Sequence, residues 1–309
     1  MLCYVLKKGF VFVLSLWCTI TAAFLLMHAL PGDPFIGDHP VPGEVLRSLH
    51  AYYGLDEPLW RQYFLYLKRL LRLDLGVSMI YPGKRVSQLI AEGIGPSLLL
   101  GGEALLLAVP AGILLGVRGA LKEAPRRDVA MVAFCALAAS LPSFLLGAFL
   151  QQLFCVKLHW LPIASWGSWA HTILPAASLA ALPAAYIAKL TKARMEEILE
   201  QDYILVAKAK GLSMSWIAYK HALRGALLPA IAYLGPAIAH IAMGSFMIEK
   251  IFSIPGLGKW MISSISARDY PMILGLTLFF SFFLMLSSFI VDMIYGWMDP
   301  RIRNYAKSS

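Results

Sequence analysis

Ionisable residues inside apolar stretches are the first candidates for chemistry in this sequence. Glu103 stands within the apolar run 97–117, and His240 stands within the run 225–248. An ionisable side chain at membrane depth is costly and is by default a candidate for an ion or substrate pathway. One Glu and one His could relay a proton. The alternative is that each pairs with a polar group on a neighbouring helix or faces a wet cavity. Glu103 and His240 are therefore a candidate intramembrane polar site.

Motifs for nucleotide binding, hydrolysis and metal binding are absent from the sequence. A phosphate-binding loop needs Ser or Thr after Gly-Lys, but Gly83-Lys84 precedes Arg85 and Gly258-Lys259 precedes Trp260. The patterns H-E-x-x-H and G-x-S-x-G do not occur, and none of the four cysteines forms a C-x-x-C pair. We therefore assign no catalytic residue and no metal ligand, and we expect no cofactor bound by this chain. A membrane enzyme lacks the clustered nucleophile or metal set that it would need.

A polar, basic segment at 202–229 separates two long apolar runs. Its first part, 203–210, contains no helix breaker, and Gly211 then ends the predicted helix because glycine enters left-handed dihedral angles freely. Ser213 can cap a second helix that runs toward Arg224. A helix–glycine–helix of this length is too short and too polar to form a domain. We interpret it as a surface that another protein grips, and the alternative is an ordinary basic loop.

The composition identifies a polytopic membrane protein. The 309 residues are 59% hydrophobic and 15% charged, whereas soluble domains carry about 25% charged residues. A membrane-spanning helix needs about 20 apolar residues. The run at 9–30 is longer than a signal-peptide core and is interpreted as the first span. Six stretches qualify as spans, namely 9–30, 97–117, 129–156, 172–190, 225–248 and 272–291.

The distribution of Lys and Arg predicts the orientation of the spans. With six spans, 16 of these residues fall on the side that holds both termini and loop 189–224, against 4 in the two short loops opposite. The side richer in positive charge is cytoplasmic. Both termini are therefore expected in the cytoplasm, and the segment 31–96 is expected outside. Because topology accounts for the net charge of +9, no nucleic-acid partner is required.

Two external segments have recognisable patterns. Asp56-Glu57-Pro58 is a favourable helix start, and the apolar residues at 59–71 then form one helical stripe. We expect this helix to lie on the membrane lipid surface or to pack on the helix bundle, although it could dock an external partner. The segment 249–258 contains the turn residues Pro255, Gly256 and Gly258 between apolar neighbours. It is expected to fold back against the bundle.

The basic segment resembles the cytoplasmic EAA loop of ABC-importer membrane subunits, in the form found in dipeptide and oligopeptide permeases. It departs from the general importer pattern at Leu205, where Glu is usual. Segments 31–35, 53–78, 249–258 and 299–303 also resemble the B-type subunits of this family. The residues that carry the loop resemblance are Tyr203, Ala207, Lys208, Ala209, Lys210, Gly211, Leu212, His221, Ala222, Leu223, Arg224, Leu227, Leu228 and Pro229.

The resemblance implies an all-α polytopic membrane protein with six transmembrane helices and the ABC type I importer permease architecture. Residues 1–96 would form an N-terminal transmembrane helix plus an external segment, and 97–309 would form the core permease domain. The external turn at 255–258 would be re-entrant. The ATPase-coupling residues would be Asp202, Tyr203, Ala207, Lys208, Lys210, Gly211, His221 and Arg224.

The implied function is that of a permease subunit of an ATP-driven peptide importer in a bacterial inner membrane, forming half of the translocation pathway. Its implied partners are a homologous second permease subunit, two cytoplasmic subunits that bind ATP and Mg, an external substrate-binding protein and the peptide substrate. Importers of nickel or glutathione share this architecture. A proton-coupled secondary transporter that uses Glu103 and His240 is an alternative of a different class.

Overall fold

The structure, a computed structural model, describes residues 2–29, 35, 43–81, 83–121 and 125–298. The family-like segments at 31–34 and 299–303 lie outside the described residues. Within the described ranges the regular structure is helical, apart from an isolated bridge between Val77 and Arg85. The helices are α1 (Leu2–Ala29), α2 (Gly43–Tyr53), α3 (Leu59–Leu70), α4 (Val86–Ala120), α5 (Pro125–Ser140), α6 (Ser143–Leu150), α7 (Ile173–Leu199), α8 (Asp202–Ala209), α9 (Met214–Trp216), α10 (Leu223–Ile251), α11 (Leu257–Ala267) and α12 (Tyr270–Met298).

Three shorter turns extend or precede these helices. A π-helical turn at Gln151–Lys157 continues α6, and a second one at Ile217–Ala222 joins α9 to α10. A 3-10 turn at Trp169–His171 precedes α7. The all-helical fold agrees with the fold class expected from the sequence.

Among the described residues, five helical segments are long and apolar enough to cross a membrane, and the count is six if one bent pair is taken as a single span. The bent pair is Met131–Ser140 with Ser143–Lys157, at an angle of 108°. The stretch at 129–156 is therefore not the one straight helix that was expected. Pro142 has no N–H to donate and disfavours helical dihedral angles at the preceding residue. Its ψ of 139° places it before α6 as an N-cap.

The described residues divide into two compact units. Apart from the first few residues of α1, the first unit comprises Pro96–Pro255 and the part of α12 from Leu284 onward. Its apolar core is built chiefly around α7 and α10. The second unit comprises Val5–Gly95 and Gly256–Phe283. One of its cores joins the start of α4 to α11 and α12, and another joins α1 to α3 and the start of α12.

Helix α7 forms the centre of the first unit. In its most apolar window 61% of the residues are buried, against 17–28% in the other four candidate spans. Pro175 stands in the first turn, where an N–H would have no helical partner, and Pro183 is tolerated inside the helix. This stretch therefore lies in the interior of the first unit. The helix is also longer than the predicted 172–190, because it continues through a charged stretch to Leu199.

Two glycines of α4 let it approach α7 closely within the first unit. A Cβ placed on Gly112 would stand 2.8 Å from the carbonyl oxygen of Ala184, and one on Gly116 would stand 2.7 Å from that of Ala188. The spacing Gly-x-x-x-Gly puts both glycines on one helix face, which is a known arrangement for close helix contact in membranes. These glycines fix α4 against the helix that leads to the basic segment.

Candidate functional site

Helix α8 begins the candidate coupling segment and has one inward and one outward face. Ile204 is fully buried and Ala207 is 8% exposed, and their three-residue spacing places both on the inward face. Tyr203, Leu205 and Val206 are 48%, 55% and 56% exposed. Asp202 lies in the first turn, where a negative charge favours the helix dipole. Ile204 and Ala207 thus anchor the helix, and its other side chains are exposed.

Gly211 terminates α8 in a Schellman motif. Its N–H donates to the carbonyl of Lys208 at 2.9 Å, and the N–H of Leu212 donates to the carbonyl of Ala207 at 3.4 Å. This pair of bonds satisfies carbonyls at the end of the helix and requires a left-handed residue at the turn. The φ of Gly211 is +79°, and no atom lies within 4 Å of where its Cβ would be. Glycine is needed here for its backbone conformation.

Ser213 caps the second helix of the segment. Its side chain accepts a hydrogen bond from the N–H of Trp216 at 3.3 Å, which is the N-cap geometry expected from the sequence. The helical turns that follow continue without interruption into α10 at Leu223. The second helix was expected to run toward Arg224, and it instead continues through a candidate membrane span to Ile251.

The inward face of the segment packs into a single apolar cluster of the first unit. This cluster includes the ends of α4 and α7 and the start of α10, so α8 shares one apolar core with all three long helices. A side chain at Gly225 would stand 2.9 Å from Ile198, so the fit is close. The buried members of the cluster are Val117, Ala120, Met195, Ile198, Leu199, Ile204, Ala207, Ile217, Ala218, Ala222 and Ala226.

The outward face of the segment combines exposed apolar side chains with cations. Lys208, Lys210, His221 and Arg224 are exposed, and the ammonium group of Lys220 lies 4.7 Å from the ring centre of Trp216. Exposed apolar groups rimmed by polar ones are typical of protein–protein contact sites. The large apolar side chains are Tyr203, Leu205, Val206, Leu212, Trp216 and Tyr219, each 38–56% exposed. These ten residues and Lys220 are called the outward patch below.

The predicted coupling residues therefore separate into two groups. Most of them lie on or beside the outward patch. Ala207 differs, because it packs into the cluster beneath α8, where its small side chain allows the helix to sit close to its neighbours. Leu205, which was noted only as a departure from the general importer pattern, is one of the most exposed apolar residues of the patch.

Glu103 and His240 are both partly buried in the first unit, on α4 and α10. Buried atoms Oε1 of Glu103 and Nε2 of His240 have no hydrogen-bond partner among the described residues. No hydrogen bond joins the two side chains to each other within that part of the chain. The described residues also contain no group of three His, Cys, Asp or Glu side chains that could hold a metal ion.

The predicted external turn lies between α10 and α11. Pro255 is the last residue of the stretch Pro96–Pro255 that belongs to the first unit, and it is exposed. In the second unit, Gly256 and Gly258 are buried, and a Cβ on Gly93 would stand 3.1 Å from the carbonyl carbon of Gly256. Within this unit the chain after the turn thus packs closely on the start of α4.

Asp269 carries a buried polar network in the second unit that sequence reasoning missed. Its carboxylate is fully buried and accepts hydrogen bonds from the Ser78 hydroxyl, from the N–H of Met79 at 3.1 Å and from the N–H of Met272 at 3.3 Å. The bond to Met272 makes Asp269 the N-cap of α12. The signal was present, because Asp followed by Tyr270-Pro271 is a favourable helix start.

A second buried carboxylate belongs to the first unit. Glu249, near the end of α10, is fully buried and accepts a hydrogen bond from the Ser97 hydroxyl at 2.7 Å. No partner for Glu249 was predicted from the sequence. A lone Ser more than 150 positions away gives no sequence signal for this contact.

Comparisons with known proteins agree with this architecture. The chain is 44% identical to the dipeptide transport system permease protein DppB of Bacillus subtilis (strain 168), covering 98% of this chain and 99% of the relative. It is 41% identical to the oligopeptide transport system permease protein OppB of Haemophilus influenzae, covering 98% and 100%. In Escherichia coli (strain K12), the protein OppB is 37% identical over 98% of this chain and 100% of its own length.

A solved structure and a family match extend the comparison. One chain of a solved structure of the MetNI methionine ABC transporter, in inward-facing conformations, aligns with a TM-score of 0.53 at 18% identity. The alignment covers 69% of this chain and 97% of that one. This likeness shows the fold. Residues 108–304 match the family described as binding-protein-dependent transport system inner membrane component. This chain belongs to that family of inner-membrane transport components.

Proposed function

We propose that this chain is the permease subunit of an ATP-driven importer of dipeptides or oligopeptides. It would form half of the translocation pathway beside a homologous second permease subunit. The relatives named for peptide transport align along nearly its whole length, with 37–44% identity in the three proteins described above. That length and identity favour peptides over nickel or glutathione as the substrate.

The observation that carries the proposal is the two-sided construction of the segment at 202–224. Its outward patch offers apolar and cationic groups to a partner, while Ile204 and Ala207 tie the same helix to the ends of three long helices. A surface built for docking alone would not need such a connection. This arrangement supports a role in transmitting a partner's movement into the membrane helices.

The partner is a cytoplasmic ATP-binding subunit, and two of these would serve the pair of permease subunits. ATP and Mg would be bound there, since this sequence has no phosphate-binding loop. Closure of the ATP-binding subunits would push α8, and the apolar cluster beneath it would move α4, α7 and α10 together. The pathway would then open alternately to the two sides of the membrane.

The orientation required by this mechanism follows from the charge distribution. The termini and the segment at 202–224 lie on the side that is rich in Lys and Arg, which is the cytoplasmic side. An external substrate-binding protein would deliver the peptide from the opposite side. The segments at 43–81 and 249–271 would then lie toward the side of the membrane on which that protein works.

Co-purification tests the proposal. The variant Leu205→Asp places a negative charge on the outward patch, and we expect the tagged chain to lose its ATP-binding subunits while it remains in the membrane. Ser266→Asp adds the same charge at an exposed position of α11 and should leave the complex intact. Retention of the ATP-binding subunits by Leu205→Asp would contradict the assigned docking surface.

A proton-coupled carrier is the second candidate, and one observation favours it. The buried atoms Glu103 Oε1 and His240 Nε2 lack hydrogen-bond partners among the described residues, which is costly unless the groups have a function or a bound water. This alternative requires uptake by the chain alone in a proton gradient. ATP-independent uptake by the isolated chain would establish it in place of the importer.

A further inference from the structure

Helix α3 is amphipathic and uses only one of its faces to contact the rest of the second unit. The hydroxyl groups of Tyr63 and Thr21 are 2.7 Å apart, and Gln62 Oε1 lies 3.1 Å from Nε2 of His28. The ring of Tyr66 stacks on Phe24 with centroids 6.1 Å apart. These contacts fix α3 against α1.

The contacts place α3 at membrane depth. Helix α1 contains a candidate span, Lys8–Ala29, whose 22 residues cover about 33 Å at 1.5 Å per residue. Thr21 lies eight positions before Ala29, which corresponds to roughly 12 Å along the helix axis. Tyr63 therefore reaches α1 inside the apolar span, so α3 lies within the leaflet at the C-terminal end of α1.

A second face of α3 is apolar and exposed. Trp60, Phe64 and Leu71 are 65%, 63% and 88% exposed. Their spacing of four and seven residues places them on one side of the helix, about 130° from the face that contacts α1. Tryptophan and phenylalanine on the apolar face are typical of helices that lie in a membrane interface. We call these three residues the apolar stripe.

Two cations flank the apolar stripe. Lys68 lies on the adjacent side of α3, and Arg72 follows four positions later in the turn that ends the helix. Within the described residues neither takes part in an ion pair or a side-chain hydrogen bond. Arg61, on the same side, differs because it pairs with Glu57 at 2.8 Å. Arg69 is also exposed, but at 100° per residue it lies about 160° around the helix from the stripe.

We propose that α3 is a phospholipid-binding helix that selects anionic headgroups. The apolar stripe enters the acyl region of the leaflet, while Lys68 and Arg72 bind the phosphate and glycerol headgroup of a lipid such as phosphatidylglycerol. The position of α3 at membrane depth, its exposed apolar stripe and the unpaired cations beside the stripe all match the chemistry of an anionic phospholipid. The inference does not depend on the transported substrate or on the docking of an ATPase.

Fluorescence quenching by brominated lipids tests the proposal in the intact complex. The chain has 8 Trp residues, so the signal of Trp60 is taken as the difference between wild type and Trp60→Phe in the same membranes. We expect brominated phosphatidylglycerol to quench this signal more strongly than brominated phosphatidylcholine present at the same fraction. The preference arises because each cation near an anionic membrane surface strengthens binding by about fivefold.

A matched pair of double variants isolates the two cations. Lys68→Gln with Arg72→Gln should abolish the lipid preference, whereas Arg47→Gln with Arg69→Gln removes the same charge from exposed positions and should keep it. Two results would overturn the proposal. Quenching of Trp60 by aqueous iodide but not by brominated lipid would assign the stripe to a soluble partner. Equal quenching by both lipids in the wild type would show a membrane helix without headgroup selection.

Discussion

A methyl group added at Gly116 of α4 would stand 2.6 Å from the Cβ atom of Thr191 on α7. The same methyl group would lie 2.7 Å from the carbonyl oxygen of Ala188, which is a backbone atom that cannot rotate away. Gly116→Ala should therefore force the two helices apart and destabilise the first unit by about 1–3 kcal/mol, the usual cost of overpacking. Thermal unfolding of the purified chain in detergent measures this loss.

Gly102→Ala is the matched control for the close approach of α4. It adds the same methyl group to the same helix at a site with no atom within 4 Å. Alanine is also the better helix former, so this variant should be as stable as the wild type or more stable. Equal unfolding temperatures for both variants would show that the contact between α4 and α7 is looser than described.

Substitutions at Gly211 should be graded by backbone conformation rather than by size. Its φ of +79° suits Asn better than other non-glycine residues, so Gly211→Asn should keep most of the uptake activity. Gly211→Pro fixes φ near −65° and removes the N–H that bonds to Lys208, so uptake should be lost. Uptake assays on membranes with equal amounts of each variant check the order, and wild-type uptake by the proline variant would contradict it.

Removing the carboxylate of Asp269 should loosen the segment around Ser78. Asp269→Ala leaves the N–H groups of Met79 and Met272 without their acceptor and removes the N-cap of α12. The expected cost is about 2–4 kcal/mol. Hydrogen exchange at 76–81 should accelerate markedly. Asp56→Ala, which removes a carboxylate that is 65% exposed, should leave this exchange unchanged; the same acceleration in both variants would contradict a local role.

Glu103 gives the clearest separation between the two candidate functions. In an ATP-driven importer, Glu103→Gln preserves the shape of the side chain and should leave ATP-driven uptake close to that of the wild type. In a proton-coupled carrier, the same change removes the titrating group and abolishes uptake. Uptake with ATP and with an imposed proton gradient, measured side by side in proteoliposomes, decides between them.

Local signals in the sequence predicted the backbone structure of the segment at 202–224 well. Gly211 has the left-handed conformation and Ser213 the capping bond expected of them, because both depend only on near neighbours along the chain. The fold class and most spans were also predictable, since about 20 apolar residues in a row have few other uses. The assignment to the permease subunits of ABC importers came from the family resemblance, and relatives that align along nearly the whole chain support it.

Features that depend on distant residues were not predictable in the same way. The bend at Pro142 had a local signal that was not used, whereas the contacts of Asp269 with Ser78 and of Glu249 with Ser97 join positions more than 150 residues apart. The inward packing of Ala207 required knowledge of the cluster beneath α8. Only the folded arrangement of α4, α7 and α10 separates anchoring residues from docking residues within the motif.

Site-specific photo-cross-linking in intact cells tests the central claim most directly. A photoreactive amino acid at Leu205, 55% exposed in the outward patch, should cross-link this chain to a cytoplasmic ATP-binding subunit. The same amino acid at Ser266 should give no such product. Cross-linking of the Leu205 probe to lipid alone, or to proteins without a nucleotide-binding domain, would contradict the assignment of this segment as the ATPase-docking site.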